Sequence, residues 1–204
     1  MEPHPPLPGA ASSIAASTRR EQELAGRDEA PLCEAWLERE ALHYVARWEA
    51  TRRGVEANLE RKIAKRCERS GEDADPILAA VPAVVARLVE RNYVNDRRFG
   101  EQLVTRLRRQ GRSLQKIRAQ LEAKGVPEAL ALELTDAGDP AAETDAEVDA
   151  AFRLARRRRI GPYCPDASQR LASRERHLAI LGRQGFSLET AVCVIDAESP
   201  PEKT

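Results

Sequence analysis

Leu37, Ala41, Val45 and Trp48 share one side of a helical projection at about 100° per residue, with Arg39, His43 and Arg47 opposite, which predicts a helix over 34–50. A second amphipathic stretch follows Gly54. It carries Val55, Leu59 and Ile63 inward among Arg52, Arg53, Arg61, Lys62, Lys65 and Arg66, and it ends before Ser70 and Gly71. Asp75 and Pro76 form a cap followed by proline at the first helical position, and Val81, Val84, Val85, Leu88 and Val89 supply a third stripe. Pro82 lacks a backbone donor and is expected to kink or restart that helix. Asn92 suits a left-handed helix end, and Asn95 or Asp96 caps the next helix, whose inward positions are Phe99, Leu103 and Leu107, with Val104 at the edge. Gly111 closes it, Ser113 caps a helix with Leu114, Ile117 and Leu121 inside, Gly125 closes that, and Pro127 opens a short one. From Asp139 and Pro140 a long helix is expected to about residue 159. A break at Gly161, Pro162 and Pro165 separates it from a helix over 168–184, and a last helix starts at Ser187.

Three helices thus recur three times, predicting an all-α fold: a tandem array of three-helix modules, elongated and curved, in which each unit meets mainly its neighbours. The modules are expected at 34–96, 97–138 and 139–198, with a short C-terminal tail over 199–204. Residues 1–33 hold five prolines among Ala and Ser, too little apolar surface to offset the entropy of ordering, and are expected to form a disordered tail.

Composition supports helices over sheets: aromatics make up only 4% and charged residues 32%, the balance of helices that pack through Leu, Val and Ala. The 33 basic and 33 acidic side chains cancel, but only on average. Between 97 and 124 nine bases face Glu101 and Glu122, a block of +7; between 125 and 151 stand eight acids and no base; between 152 and 185 nine arginines face Asp166 and Glu175, again +7. A polyanion or an acidic surface therefore meets patches, and the blocks can also pair with one another.

The candidate partner-binding residues follow from these blocks. Arg98 and Arg109 project away from the Phe99, Leu103 and Leu107 stripe, Arg106 and Arg108 flank it, and Arg112 follows at the Gly111 turn. Arginine suits such a surface because its planar fork makes paired hydrogen bonds to carboxylate or phosphate. Arg47, Arg52, Arg53, Lys62 and Arg66 form a further cluster, and Arg156, Arg157, Arg158 and Arg159 another. For that last run a local role is also expected, since cations at a helix C-terminus complement its dipole and the acids upstream can neutralise them. Tyr93 and Phe99 are expected to pack two modules together, with Asp96 capping the incoming helix.

No phosphate-binding loop, dinucleotide fingerprint, H-E-x-x-H or nucleophile elbow occurs, so no catalytic residue, metal site or cofactor is expected. Cys33, Cys67, Cys164 and Cys193 form no C-x-x-C pair and read as reduced thiols of a cytoplasmic protein. No apolar run long enough for a membrane span appears, so no membrane partner is expected.

Three segments resemble the RecX family of recombinase regulators: Ala41-Leu42-x-Tyr44-Val45-Ala46-Arg47; Leu88-x-x-x-Asn92-Tyr93-Val94-Asn95-Asp96-x-Arg98-Phe99; and Gly111-x-Ser113-x-x-x-Ile117-x-x-x-Leu121-x-x-Lys124-Gly125-Val126. The stretch from Ala155 to Tyr163 is similar to one branch of that family. The resemblance implies a monomeric regulator that binds the RecA recombinase filament and inhibits its recombination and ATPase activities by lying in the groove, by capping growth, or both. The two basic blocks leave a second reading open, a helical protein that competes for single- or double-stranded DNA.

Overall fold

The structure, a computed structural model, describes residues 31–136 and 138–201. The expected disordered tail therefore lies, for residues 1–30, outside the described residues, as do residues 202–204 of the expected C-terminal tail. Among the described residues the chain is entirely helical, as the periodicity predicts. It forms α1 (Glu34–Val45), α2 (Arg52–Ser70), α3 (Asp75–Glu90), α4 (Asp96–Arg109), α5 (Leu114–Ala123), α6 (Glu128–Thr135), α7 (Pro140–Arg158), α8 (Ala167–Ala172), α9 (Arg174–Arg183) and α10 (Leu188–Asp196), with a 3₁₀ turn at Gly161–Tyr163.

The contacts divide the chain into two units. In the first, which covers the described residues to 47 and residues 55–90, α1 and α3 pack together. Their buried faces are Trp36, Leu37 and Ala41 on one side and Ile77, Val81, Val84, Val85 and Leu88 on the other, with Val55, Leu59 and Ile63 of α2 also buried. Each fully buried Leu, Ile or Val contributes on the order of 1.5–3 kcal/mol. Three details differ from expectation. Helix α1 stops at Val45 rather than at 50, and its buried face is turned toward Trp36, Leu37, Glu40 and Ala41. Pro82 lies inside an unbroken helix, on the exposed side, where water can satisfy the carbonyl one turn back that loses its donor. Val89, expected inside, is exposed.

The second unit comprises 48–54 and everything from residue 91 on. It holds two apolar cores. Leu103, Leu107, Ile117, Leu121, Val126 and Ala131 join α4, α5 and α6, with Phe99, Val104 and Leu130 packed at the margin. Phe152, Leu154, Ile160, Leu181, Phe186, Val194 and Ile195 join α7, α9 and α10. The single helix expected over 168–184 is divided at Ser173 into α8 and α9. The division coincides with two arginine grips on the end of α10. Arg170 donates to the Ile195 and Ala197 carbonyls at 3.1 and 2.5 Å, and Arg174 clasps the Asp196 carboxylate at 2.8 and 2.6 Å.

One polar arrangement occurs twice in this unit. Ser113 caps α5 by accepting from the Lys116 amide at 3.2 Å, and its hydroxyl donates to the Gln184 carbonyl at 2.5 Å. Thr51 accepts from the Gly54 amide at 3.0 Å at the start of α2, and its hydroxyl donates to the Lys124 carbonyl at 2.5 Å. Each time the accepting carbonyl ends a helix and precedes a positive-φ glycine, Gly185 or Gly125. Each time, too, an acid from a later helix caps the same first turn: Glu147 accepts from the Leu114 amide at 3.1 Å and Asp96 from the Arg52 amide at 2.7 Å. A hydroxyl serves here because it accepts and donates at once, satisfying the orphan amide of its own helix and an orphan carbonyl of the next.

Candidate partner-binding surface

Helix α4 forms because Asn95, in an extended conformation, accepts from the Arg98 amide at 3.0 Å, and because Leu103 and Leu107 recur on the side facing the core. That fixes which side chains point outward. Asp96 is thus not the cap of its own helix; its carboxylate serves α2 instead. Tyr93 is 53% exposed, so the expectation that it packs between modules is not met; the neighbouring buried side chain is Val94.

Most of the candidate cations are held by groups within the protein. Arg98 donates through Nε to Glu49 at 2.7 Å. Arg108 donates to Glu147 at 2.6 Å, both side chains being less than a fifth exposed. Arg112 donates to the Gln184 side chain at 2.7 Å. Lys62 pairs with Glu40 at 2.6 Å in the first unit. Arg66 is only 5% exposed, lies 5.2 Å over the Trp36 ring and pairs with Glu72 at 3.3 Å, so it belongs to the core of that unit rather than to a binding surface. Arg52 and Arg53 are exposed, with Arg53 Cβ pressed against Gly125, and both make other contacts within the protein, as does Arg156.

The acidic block also serves residues other than the run at 156–159. Its ion pairs reach back to the first basic block: Glu133 takes Arg97 at 2.9 and 2.8 Å, Glu147 takes Arg108, and Glu143 stands 3.9 Å from Arg118. The Arg97 guanidinium holds the Glu133 carboxyl below its ordinary range, mainly through the hydrogen bonds between them.

What remains is a smaller, sharper surface. The side chains of Arg106 and Arg109 on α4, and of Arg158 and Arg159 at the end of α7, are exposed and make no hydrogen bond or ion pair among the described residues, as is also true of Arg47 in the first unit. The end of α4 packs against α7. Gly111, at φ +65°, brings the end of α4 so close to α7 that an added Cβ would lie 2.7 Å from the Ala150 carbonyl oxygen and 2.8 Å from the Leu154 nitrogen. One turn further on, Arg157 donates to the carbonyl of Gln110, the residue that caps the end of α4, at 2.6 Å. The C-terminal ends of α4 and α7 each carry arginines that complement the helix dipole, and Glu101, Gln102, Thr105 and Gln110 line a shallow depression with Arg106 and Arg109. Such a surface is suited to paired hydrogen bonding with carboxylates. Glu49, Glu147, Gln110 and Gln184, which sort held arginines from open ones, carry no periodic signal that would have singled them out.

Among the described residues no group of three or more His, Cys, Asp or Glu side chains could hold a metal ion, and the four cysteines are free thiols. No described helix is long and apolar enough to cross a membrane.

Residues 95–133, which run from the Asn95 cap through α4 and α5 into α6, match the family model for RecX, second three-helix domain. The regulatory protein RecX of Myxococcus xanthus (strain DK1622) is 37% identical over 163 residues, which cover 79% of this chain and 85% of that protein. The chain belongs to the RecX family. Helices α4 and α5 and most of α6 fall within that second three-helix domain, and the family match spans the helix that carries Arg106 and Arg109.

Proposed function

We propose that this RecX-family protein binds the RecA recombinase filament and restrains its recombination and ATPase activities, so regulating DNA repair and the SOS response. It acts in the cytoplasm as a monomer, without a cofactor and without catalysing a reaction. In this reading its three modules, 34–96, 97–138 and 139–198, lie along the filament groove, cap its growth, or do both. The observation that carries the proposal is that Arg106 and Arg109 of α4, and Arg158 and Arg159 at the end of the α7 helix packed beside it, make no side-chain hydrogen bond or ion pair among the described residues. A recombinase presenting carboxylates can be held there by forked hydrogen bonds, and charge complementarity of this kind sets orientation and on-rate.

Competition for DNA is the second reading, favoured by the same guanidinium groups. The open arginines sit at helix C-termini, where the dipole disfavours phosphate and carboxylate alike, so salt dependence is what separates the two readings. Binding of the full chain is to be compared, as salt rises, on filaments and on bare single-stranded DNA. If the protein is recognised, bare-DNA binding is weak and disappears first, because phosphate contacts lose affinity through counterion release. Equal affinity and equal salt slope on both would favour DNA competition.

A further inference from the structure

A second surface of the same unit has the opposite character. Pro140, Glu143, Thr144, Glu147 and Val148 follow one another at helical spacing and form a single stripe along the first half of α7. Facing that stripe are Ser187, Glu189, Thr190 and Cys193 of α10 with its cap, and Leu114, Gln115 and Gly185 complete the walls. The groove between them has a volume of about 580 Å³. Clefts that accept ligands measure roughly 300–1,000 Å³. Three carboxylates line it and no lysine or arginine does, in a chain with 33 basic residues. Pro140, Val148 and Leu114 give the same groove apolar wall beside the carboxylates.

We infer that this groove is a docking site for a protein segment that presents lysine or arginine beside an aliphatic side chain. Charge complementarity decides the occupant. Glu147 is committed to Arg108 and to the Leu114 amide, but Glu189 makes no ion pair among the described residues and Glu143 only the 3.9 Å contact to Arg118. A cation entering the groove therefore meets two carboxylates still able to bond it, while Pro140 and Val148 offer apolar surface to its neighbour. The inference concerns a different face from the open arginines and stands whether or not the recombinase reading holds.

The test uses the full chain and fluorescently labelled twelve-residue peptides alternating Lys and Leu, with one matched peptide carrying Glu for Lys and another carrying Ser for Leu. Binding is read by fluorescence anisotropy at near-physiological salt. The Lys/Leu peptide is expected to bind and the other two to fail. Glu143→Gln with Glu189→Gln is expected to weaken it about tenfold, the loss of two partly exposed ion pairs. Glu68→Gln with Asp73→Asn, exposed acids of the first unit, is expected to leave it unchanged. The melting temperatures of all variants are to be matched first, since none of the substituted groups is buried. Equal loss in the Glu68/Asp73 control, or equal binding of the Ser-for-Leu peptide, would overturn the inference and reduce the effect to general charge attraction. It would also fail if sedimentation showed that the same acids mediate self-association through the arginines of a second copy.

Discussion

Glu147 ties two helices to α7 with one carboxylate, so its removal has a calculable cost. Glu147→Ala deletes the partner of Arg108, leaving a guanidinium only 19% exposed, and it also deletes the acceptor of the Leu114 amide at the start of α5. Breaking a fully buried ion pair costs about 3–5 kcal/mol; the residual exposure here lowers that to about 1–3 kcal/mol. The lost cap adds about 1 kcal/mol. Together they give about 2–4 kcal/mol, or roughly 4–16 °C in melting temperature for a chain of this size. Glu147→Gln keeps an acceptor for the amide and should lose about half as much. Asp145→Ala, an exposed acid two residues away, should stay within about 0.5 kcal/mol. Urea and thermal unfolding followed by circular dichroism measure all three. Equal midpoints for Glu147→Ala and Asp145→Ala would refute the assignment of this carboxylate as the link between α4, α5 and α7.

Gly111→Ala combines a positive φ with a Cβ 2.7 Å from backbone and should cost more than about 2 kcal/mol, whereas Gly71→Ala, also at positive φ but in open space, should cost only about 1 kcal/mol; thermal melts compare them. Arg66→Ala should destabilise by about 1–3 kcal/mol by stripping the cover from Trp36 while leaving filament affinity per folded molecule unchanged. His177 is buried, its Nδ1 accepts from the Gly161 amide at 3.4 Å, and burial, then Arg176 and Arg170, push its pKa below the ordinary value. The unfolded chain thus binds the extra proton first. Its contribution to stability is fully present above about pH 6.5 and is lost as pH falls through the folded value; a His177→Gln variant should flatten that part of the curve measured by urea unfolding.

Helix boundaries were legible in the sequence wherever a residue type has a mechanical reason to stand at an end. Ser113, Asp139 and Ser187 cap as read, and Gly111, Gly125 and Gly185 take positive φ. The core was legible where apolar residues keep the 3.6-residue period, as in Leu103 and Leu107. Trp48 obeys the same period and is nonetheless 64% exposed, because α1 has already ended at Val45. The binding surface was legible only as a basic block. Which arginines stay open depends on carboxylates tens of residues away, Glu147 for Arg108 and Glu49 for Arg98, and no local spacing encodes those pairs. Arg66 was an exception with a signal: it continues Val55, Leu59 and Ile63 at helical spacing and so belongs to the inward stripe despite its charge.

The most direct test of the recombinase interface is reversal of the four open arginines, Arg106, Arg109, Arg158 and Arg159, to glutamate in the full chain. Binding to preassembled recombinase filaments is measured beside the circular dichroism spectrum. Like charges in a partly desolvated interface cost several kcal/mol, so affinity should fall by at least about a hundredfold with the helical spectrum intact. Reversal of Arg97, which Glu133 already holds, should do far less. Filament binding that survives the fourfold reversal in a folded protein would contradict the account.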